Sequence, residues 1–275
     1  MANTQKAIPA GLTELVSRVS SETFDLDVYR RAGCFVVRGA IPAAVVREWQ
    51  AEWDAFYQTI QAGRDVNKAN PVALAEQPTG PLAEMYREPA LVDVMRTLFG
   101  EHVALYNHRF VIKDRFSTGK VFLHQDSCYH LGNVNKCSFF VPLTHADKDN
   151  GAMTFHVGSH RLGFLGDAGE INPDSFEVEW PKITPELSPG DFVVMNSALW
   201  HESGPNTSGR DRVLADTIVQ PADDPTGEAL ICGEWQTDIF FSHHNCIRYF
   251  ANSRVLRNMR YEKELASLRE AAPAA

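Results

Sequence analysis

The run VFLHQD places an imidazole, His124, and a carboxylate, Asp126, two positions apart in a β-prone stretch. In an extended chain alternate side chains share a face, so Phe122, His124 and Asp126 point one way and Leu123 and Gln125 the other. Polar groups buried together need each other, a wider network or a metal, because burying them unpaired is costly. A buried Asp–His hydrogen bond satisfies the same pair with no metal. His201, in WHESGPNTSGRDR, supplies a possible third donor. Two imidazoles and one carboxylate suit non-haem Fe(II) with positions left open, whereas His201 by itself also fits a core or loop histidine. Arg212 follows eleven residues after His201. The turn-rich SGPNTSG is expected to reverse the chain, laying RVLADTIVQ antiparallel to the strand that leads to His201. A guanidinium there can grip a carboxylate bidentately. Arg210 shares its strand parity, and a surface pair with Asp211 or Asp216 is the other use open to Arg212.

Elements must hold these residues in place. DLDVYRRAGCFVVRGAI reads as a short helix stopped by Gly33 and a strand from Cys34 to Arg38. PAAVVREWQAEWDAFYQTI starts with Pro42 and spaces Val45, Trp49, Trp53 and Phe56 at near-helical intervals, and REPALVDVMRTLFG predicts a second helix ending at Gly100. After Gly100 come short extended runs, HVALYNHRFVIK, VFLHQD, KCSFFVPL, AMTFHV, DFVVMN and RVLADTIVQ, separated by turn-rich segments, the pattern of an antiparallel barrel or sandwich. The end, ANSRVLRNMRYEKELASLREAA, predicts an amphipathic helix. The fold class is therefore α+β with a mainly β core. One domain over residues 1–275 is expected, with helices over about 12–100, the β core over about 100–222 and a terminal helix over about 250–270.

Bulk properties narrow the partners. The chain has 275 residues, 44% hydrophobic and 22% charged, with a formal charge of -9, which argues against a nucleic-acid surface and for a small-molecule partner. Five scattered cysteines with no CxxC pair read as reduced thiols, and neither a signal peptide nor a membrane span is predicted, so a cytoplasmic location is expected. The oligomeric state is not fixed by any of these features.

The segments YNHRFVIKDRFSTGKVFLHQDSCYH, LTHADKDNGAMTFHVGSHRLG and WHESGPNTSGRDR, in this order and spacing, resemble the phytanoyl-CoA dioxygenase (PhyH) superfamily of Fe(II)- and 2-oxoglutarate-dependent oxygenases; YRRAGCFVVRGAIP is similar to the same family, and the resemblance spans about Asp25 to Val219. It implies a double-stranded β-helix of the jelly-roll or cupin type, with His124, Asp126 and His201 as iron ligands and Arg212 on the distal carboxylate of 2-oxoglutarate. It also implies cosubstrate contacts from Ser138 and Asn107, the latter where relatives carry Gln, and a lysine near the site, Lys113. The implied reaction consumes O2 and 2-oxoglutarate, releases succinate and CO2, and hydroxylates a C–H bond of a substrate expected to be a small polar metabolite. Asp126 favours hydroxylation over halogenation, since halogenating relatives lack the carboxylate ligand.

Residues near the motifs that could line a substrate pocket are Tyr129, His130, Asn135, His156, Arg161, Trp200 and Trp235, each with a core or loop role as its alternative. Adjacent residues on a strand diverge, so His243 and His244 are not expected to form a joint chelate and are read as surface or supporting residues. Two other function classes use the same residues: a metal-dependent β-barrel hydrolase or isomerase, and a non-catalytic barrel that binds a small acid.

Overall fold

The computed structural model describes residues 6–61, 72–76, 78–130, 136–163, 165, 171–222, 228–231 and 234–236. The expected terminal helix and the pair His243 and His244 lie outside the described residues. In chain order the strands are β1 (Ser20–Ser21), β2 (Cys34–Val37), β3 (Ala73–Glu76), β4 (His102–Lys113), β5 (Val121–His124), β6 (Cys137–Pro142), β7 (Met153–His156), β8 (Lys182–Ile183), β9 (Phe192–Asn196), β10 (His201–Ser203), β11 (Arg212–Pro221), β12 (Glu228–Ile231) and β13 (Glu234–Gln236). They form a large sheet, ordered β1-β2-β9-β6-β11-β4-β12-β13 with β3 also on β4, and a smaller sheet, β5-β10-β7-β8. Apart from the parallel pair β1–β2, the pairings are antiparallel. Two sheets with helices on the outside match the α+β, mainly β class predicted from the sequence.

The helices α1 (Leu12–Val16), α2 (Leu26–Ala32), α3 (Ala43–Gln61) and α4 (Pro89–Phe99) cover the large sheet. Asp25 caps α2 by accepting from the Val28 amide, and Gly33 ends it at φ +83°. A side chain at Gly33 would also stand 2.4 Å from His160 Nδ1, so the stop is sterically enforced. Helix α3 buries Val46, Trp49 and Trp53, and the Trp53 and Phe110 rings pack at 4.7 Å.

Strand periodicity decides what each face of the large sheet sees. Cys137, Phe139 and Val141 of β6 and Val213, Ala215 and Val219 of β11 join the core under the helices. Phe140 and Leu214 join a second cluster with Met153 and Phe155 of the small sheet. Ser138, Arg212, Asp216 and Ile218 alternate with the helix-facing residues, and so lie on the inner face, between the sheets. Burying a full-sized apolar side chain contributes about 1.5–3 kcal/mol, so a one-residue slip of β11 would exchange that gain for buried charge.

Two expectations need correction. Strand β11 pairs with β4 and β6, and β9 pairs with β2 and β6, so no hairpin joins β11 to the strand before His201. His201 instead begins β10 in the opposite sheet, and Arg212 faces the site from across the barrel. Strand β5 also stops at His124, and Asp126 opens a 3-10 turn, Asp126–Cys128, so the shared-face argument does not account for the pair. Among the described residues no helix is long and apolar enough to cross a membrane.

Candidate active site

The turn carrying Asp126 is tied directly to the segment carrying His201. Gln125 is fully buried and donates from Nε2 to the carbonyls of Ala198 and Gly163, each at 2.7 Å. The Ser127 amide donates to Ser197 O at 2.9 Å. Two residues flanking Asp126 thus fix the loop that leads into β10. On the strands themselves, His124 and His201 are direct register partners, with ring centroids 4.2 Å apart.

Donor atoms of His124, Asp126 and His201 all lie within 4.8 Å of one another. His124 Nδ1 lies 2.8 Å from Phe122 O and His201 Nδ1 lies 3.0 Å from Leu199 O, in each case the carbonyl two residues back. A carbonyl only accepts, so each Nδ1 carries a proton, and in the neutral ring each Nε2 lone pair is left free. Both Nε2 atoms point at the same oxygen, Asp126 Oδ1, each at 3.5 Å. Three acceptors facing one another repel unless a proton or a metal stands between them. This is the donor set and orientation that a divalent cation of the Fe(II) type requires.

The titration behaviour follows. Without a metal, a proton on His124 Nε2 can take its place: burial opposes the charge of the Asp126 carboxyl, yet the field of His201 and the hydrogen bond that protonated His124 then donates win and hold it well below the usual carboxylate range. Burial also opposes a charged His124, but the Asp126 hydrogen bond and field raise its pKa. His201 is pushed down to about 4 by burial and by His124, which keeps its ring neutral near pH 7.

Beside these residues lies a cavity of about 420 Å³ whose lining includes all three, together with Asn107, Arg109, Tyr129, His130, Arg212 and Asp216. Arg212 is 1% exposed; its Nη1 reaches only Val111 O, at 3.4 Å, and its Nε has no partner. A buried guanidinium facing no carboxylate is costly, and burial depresses its pKa to about 9. Neither Asp211 nor Asp216 serves it: Asp216 accepts from Arg109 Nε at 3.0 Å, and the exposed Arg210 is taken by Asp147 at 2.7 Å. The site therefore presents an unmet demand for an anion beside the three donors.

The remaining sequence candidates divide. Asn107, Tyr129 and His130 do line the cavity. Ser138 Oγ donates to Asp126 Oδ2 at 3.3 Å, so it meets the carboxylate ligand. Lys113 does not line the cavity: its ammonium donates to Gly119 O and Gly204 O. Gly151 explains the NGA motif here, because a side chain at its φ of +85° would stand 2.7 Å from Lys113 Cδ and 2.8 Å from Gly204 O. Four candidates are corrected. Trp200 is fully buried against Phe176 and Trp180, with ring centroids at 4.7 and 4.6 Å, because its strand neighbour His201 takes the cavity side. Trp235 packs on Tyr86 at 4.9 Å, beyond β4, and the exposed Arg161 sits on the turn Ser159–Leu162. His156 is buried beside Glu202, 3.4 Å away, and is no part of the wall. Asn135 lies outside the described residues. Gln125 and the Arg109–Asp216 pair are functional features that the motifs did not mark; the parity of Asp216 with Arg212 was the available signal.

The family model described as phytanoyl-CoA dioxygenase (PhyH) matches residues 29–214. Curated relatives include 1-deoxypentalenic acid 11-beta-hydroxylase of Streptomyces arenae, 25% identical over 165 residues (52% of this chain, 58% of that protein), and dioxygenase af480 of Aspergillus fumigatus, 28% identical over 136 residues (48% and 42%). The chain thus spans about half the length of the curated relatives it matches. Among solved structures, the epimerase SnoN in complex with Fe3+, alpha ketoglutarate and nogalamycin RO is similar at TM-score 0.61 and 20% identity, covering 79% of this chain and 86% of that one. HygX from Streptomyces hygroscopicus with nickel and 2-oxoglutarate bound is similar at TM-score 0.56 and 14% identity, covering 73% and 88%. At these identities the structures establish a shared fold.

Proposed function

Because the chain belongs to the phytanoyl-CoA dioxygenase (PhyH) family, we propose that it is an Fe(II)- and 2-oxoglutarate-dependent dioxygenase that hydroxylates a C–H bond of a small molecule, releasing succinate and CO2. The observation that carries this reading is the convergence of three free donors, His124 Nε2, Asp126 Oδ1 and His201 Nε2, beside a buried guanidinium with no carboxylate partner. The curated relatives named as a hydroxylase and a dioxygenase support it. The 275 residues are read as one catalytic unit built around the two-sheet core.

When bound, iron with 2-oxoglutarate and dioxygen supplies an oxidant strong enough for an unactivated C–H bond. The protein does the rest. His124, Asp126 and His201 would hold the metal, their orientation fixed by the Phe122 and Leu199 carbonyls and by Ser138. Arg212 would receive the distal carboxylate of 2-oxoglutarate, and Asn107 would offer its amide to the same ligand from the neighbouring strand β4. Ser138 is assigned to Asp126, and Lys113 to holding the Gly119 and Gly204 backbone beside Arg212. The walls position the substrate C–H bond and keep bulk water out.

The test is spectroscopic and then chemical. Anaerobic addition of Fe(II) and 2-oxoglutarate gives a visible charge-transfer band, absent in His201→Ala, and admission of oxygen yields succinate. A folded, metal-loaded protein with no band contradicts the proposal, as does turnover that needs no oxygen.

A further inference from the structure

Three of the cavity's lining side chains, Leu74, Phe122 and Tyr129, are 50%, 37% and 46% exposed and form its mouth. Val72, Val121 and Met153 continue the same apolar surface inward. Large apolar side chains gathered round one opening signal an apolar ligand, because their exposure is otherwise unfavourable. The volume of about 420 Å³ lies in the range of small-molecule sites, about 300–1,000 Å³. It is larger than 2-oxoglutarate needs.

The charged groups of the described wall are nearly all committed. Asp126 faces the metal position and Arg212 the cosubstrate. Glu202 is paired with Lys120 at 3.0 Å and with His156 at 3.4 Å, and Arg109 is paired with Asp216. Apart from Arg212 Nε, two buried polar atoms of this wall have no hydrogen-bond partner, His130 Nδ1 and Asp216 Oδ1, and the second belongs to a charged residue only 2% exposed. Its partner oxygen Oδ2 is held by Arg109 Nε at 3.0 Å, which fixes the carboxylate in the wall. A buried acceptor without a donor is costly, and a ligand hydroxyl satisfies it. A substrate carboxylate would instead meet the negative charges of Asp216 and Asp126 with both cations already engaged.

Resting on the oxygenase reading above, we propose that the primary substrate is a neutral molecule with an apolar body and a hydroxyl group, the body seated against Val72, Leu74, Phe122 and Met153 and the hydroxyl donating to Asp216 Oδ1. This differs from the small polar metabolite expected from the sequence. Burial raises the Asp216 pKa to about 6 against the opposing pull of Arg109, which leaves it an acceptor at neutral pH.

The experiment is calorimetric titration of the Fe(II)- and 2-oxoglutarate-loaded protein, without oxygen, using matched cyclic alcohols and ketones such as borneol and camphor, with erythritol as the polar control. The expected result is that the alcohol binds about tenfold or more tightly than its ketone, as a hydrogen bond to a charged acceptor allows, and that erythritol does not bind. In Asp216→Asn the amide oxygen turns to Arg109 and the NH2 faces the cavity, so the preference reverses toward the ketone. Leu74→Glu, at the exposed rim, weakens alcohol and ketone alike and leaves their ratio unchanged. Alcohol and ketone binding within twofold of each other, an unreversed preference in Asp216→Asn, or erythritol binding in place of the terpenoids overturns the proposal. Binding is read without turnover, so lost selectivity with an intact charge-transfer band sinks this inference alone, while a missing band sinks the oxygenase reading.

Discussion

His124 and His201 sit opposite each other across paired antiparallel strands, and both turn Nε2 toward the same carboxylate oxygen of Asp126, each at 3.5 Å. Each ring is held by a carbonyl two residues earlier in the chain. The symmetry has a physical origin: a histidine whose Nδ1–H is spent on its own backbone has one lone pair to offer and one direction in which to offer it.

Ser138 bears on the same centre through Asp126. Ser138→Ala removes the hydrogen bond to Oδ2 while leaving all three ligands in place. Fe(II) affinity is expected to fall by about 10- to 100-fold, as for other partners of metal ligands, with the fold unchanged. Equilibrium metal titration against a circular-dichroism control measures it; unchanged affinity removes Ser138 from the site.

Arg212→Ala deletes the cation that the cavity buries for an anion. Losing one member of a desolvated charge pair costs about 2–5 kcal/mol, so the KM for 2-oxoglutarate rises roughly 30-fold or more, while Fe(II) affinity holds. Arg212→Lys recovers part of this, because a single ammonium does not reproduce the two-pronged grip. Equal losses of metal and cosubstrate binding would show a general collapse of the site.

Gly151→Ala tests the NGA turn. The added methyl clashes with Lys113 and with the Gly204 carbonyl at a positive φ, and a cost of about 2 kcal/mol is expected from overpacking and strain. Thermal denaturation records that loss. Because Lys113 is the register partner of Arg212, 2-oxoglutarate affinity is expected to fall more than Fe(II) affinity.

The fold also carries an acid limit. His108 is buried with Nε2 2.7 Å from Leu82 O and Nδ1 2.8 Å from Thr217 Oγ1, and burial lowers its pKa to about 4. The unfolded chain, with an ordinary histidine pKa of about 6.5, takes up this proton first. Stability contributed by neutral His108 is therefore complete above about pH 6.5 and is lost as pH falls toward 4. Denaturant midpoints of the metal-free protein between pH 7 and 4 are expected to drop, and to drop less steeply in His108→Gln; identical slopes in the two proteins would refute the assignment.

The strands visible in the sequence are those with a face to bury. HVALYNHRFVIK coincides with β4, and the apolar runs around Phe139, Val194 and Leu214 became β6, β9 and β11, because β-branched and aromatic residues announce a core strand without outside help. Strand β10 has only His201, Glu202 and Ser203; nothing in them favours extension, and pairing to β5 and β7 makes them a strand. The turn at Asp126 is hidden for a related reason, since Gln125 and Ser127 are anchored by a loop some seventy residues away. The cluster of His124, Asp126 and His201 was legible because metal-ligand chemistry permits few residue types. The apolar mouth was not, since Leu74, Phe122 and Met153 come from separate strands and meet only in three dimensions.

Iron-edge anomalous diffraction from crystals grown with Fe(II) under anaerobic conditions addresses the metal centre most directly. One peak is expected, bounded by His124 Nε2, Asp126 Oδ1 and His201 Nε2. A peak elsewhere, or an ion held by His124 and Asp126 with His201 turned away, contradicts it.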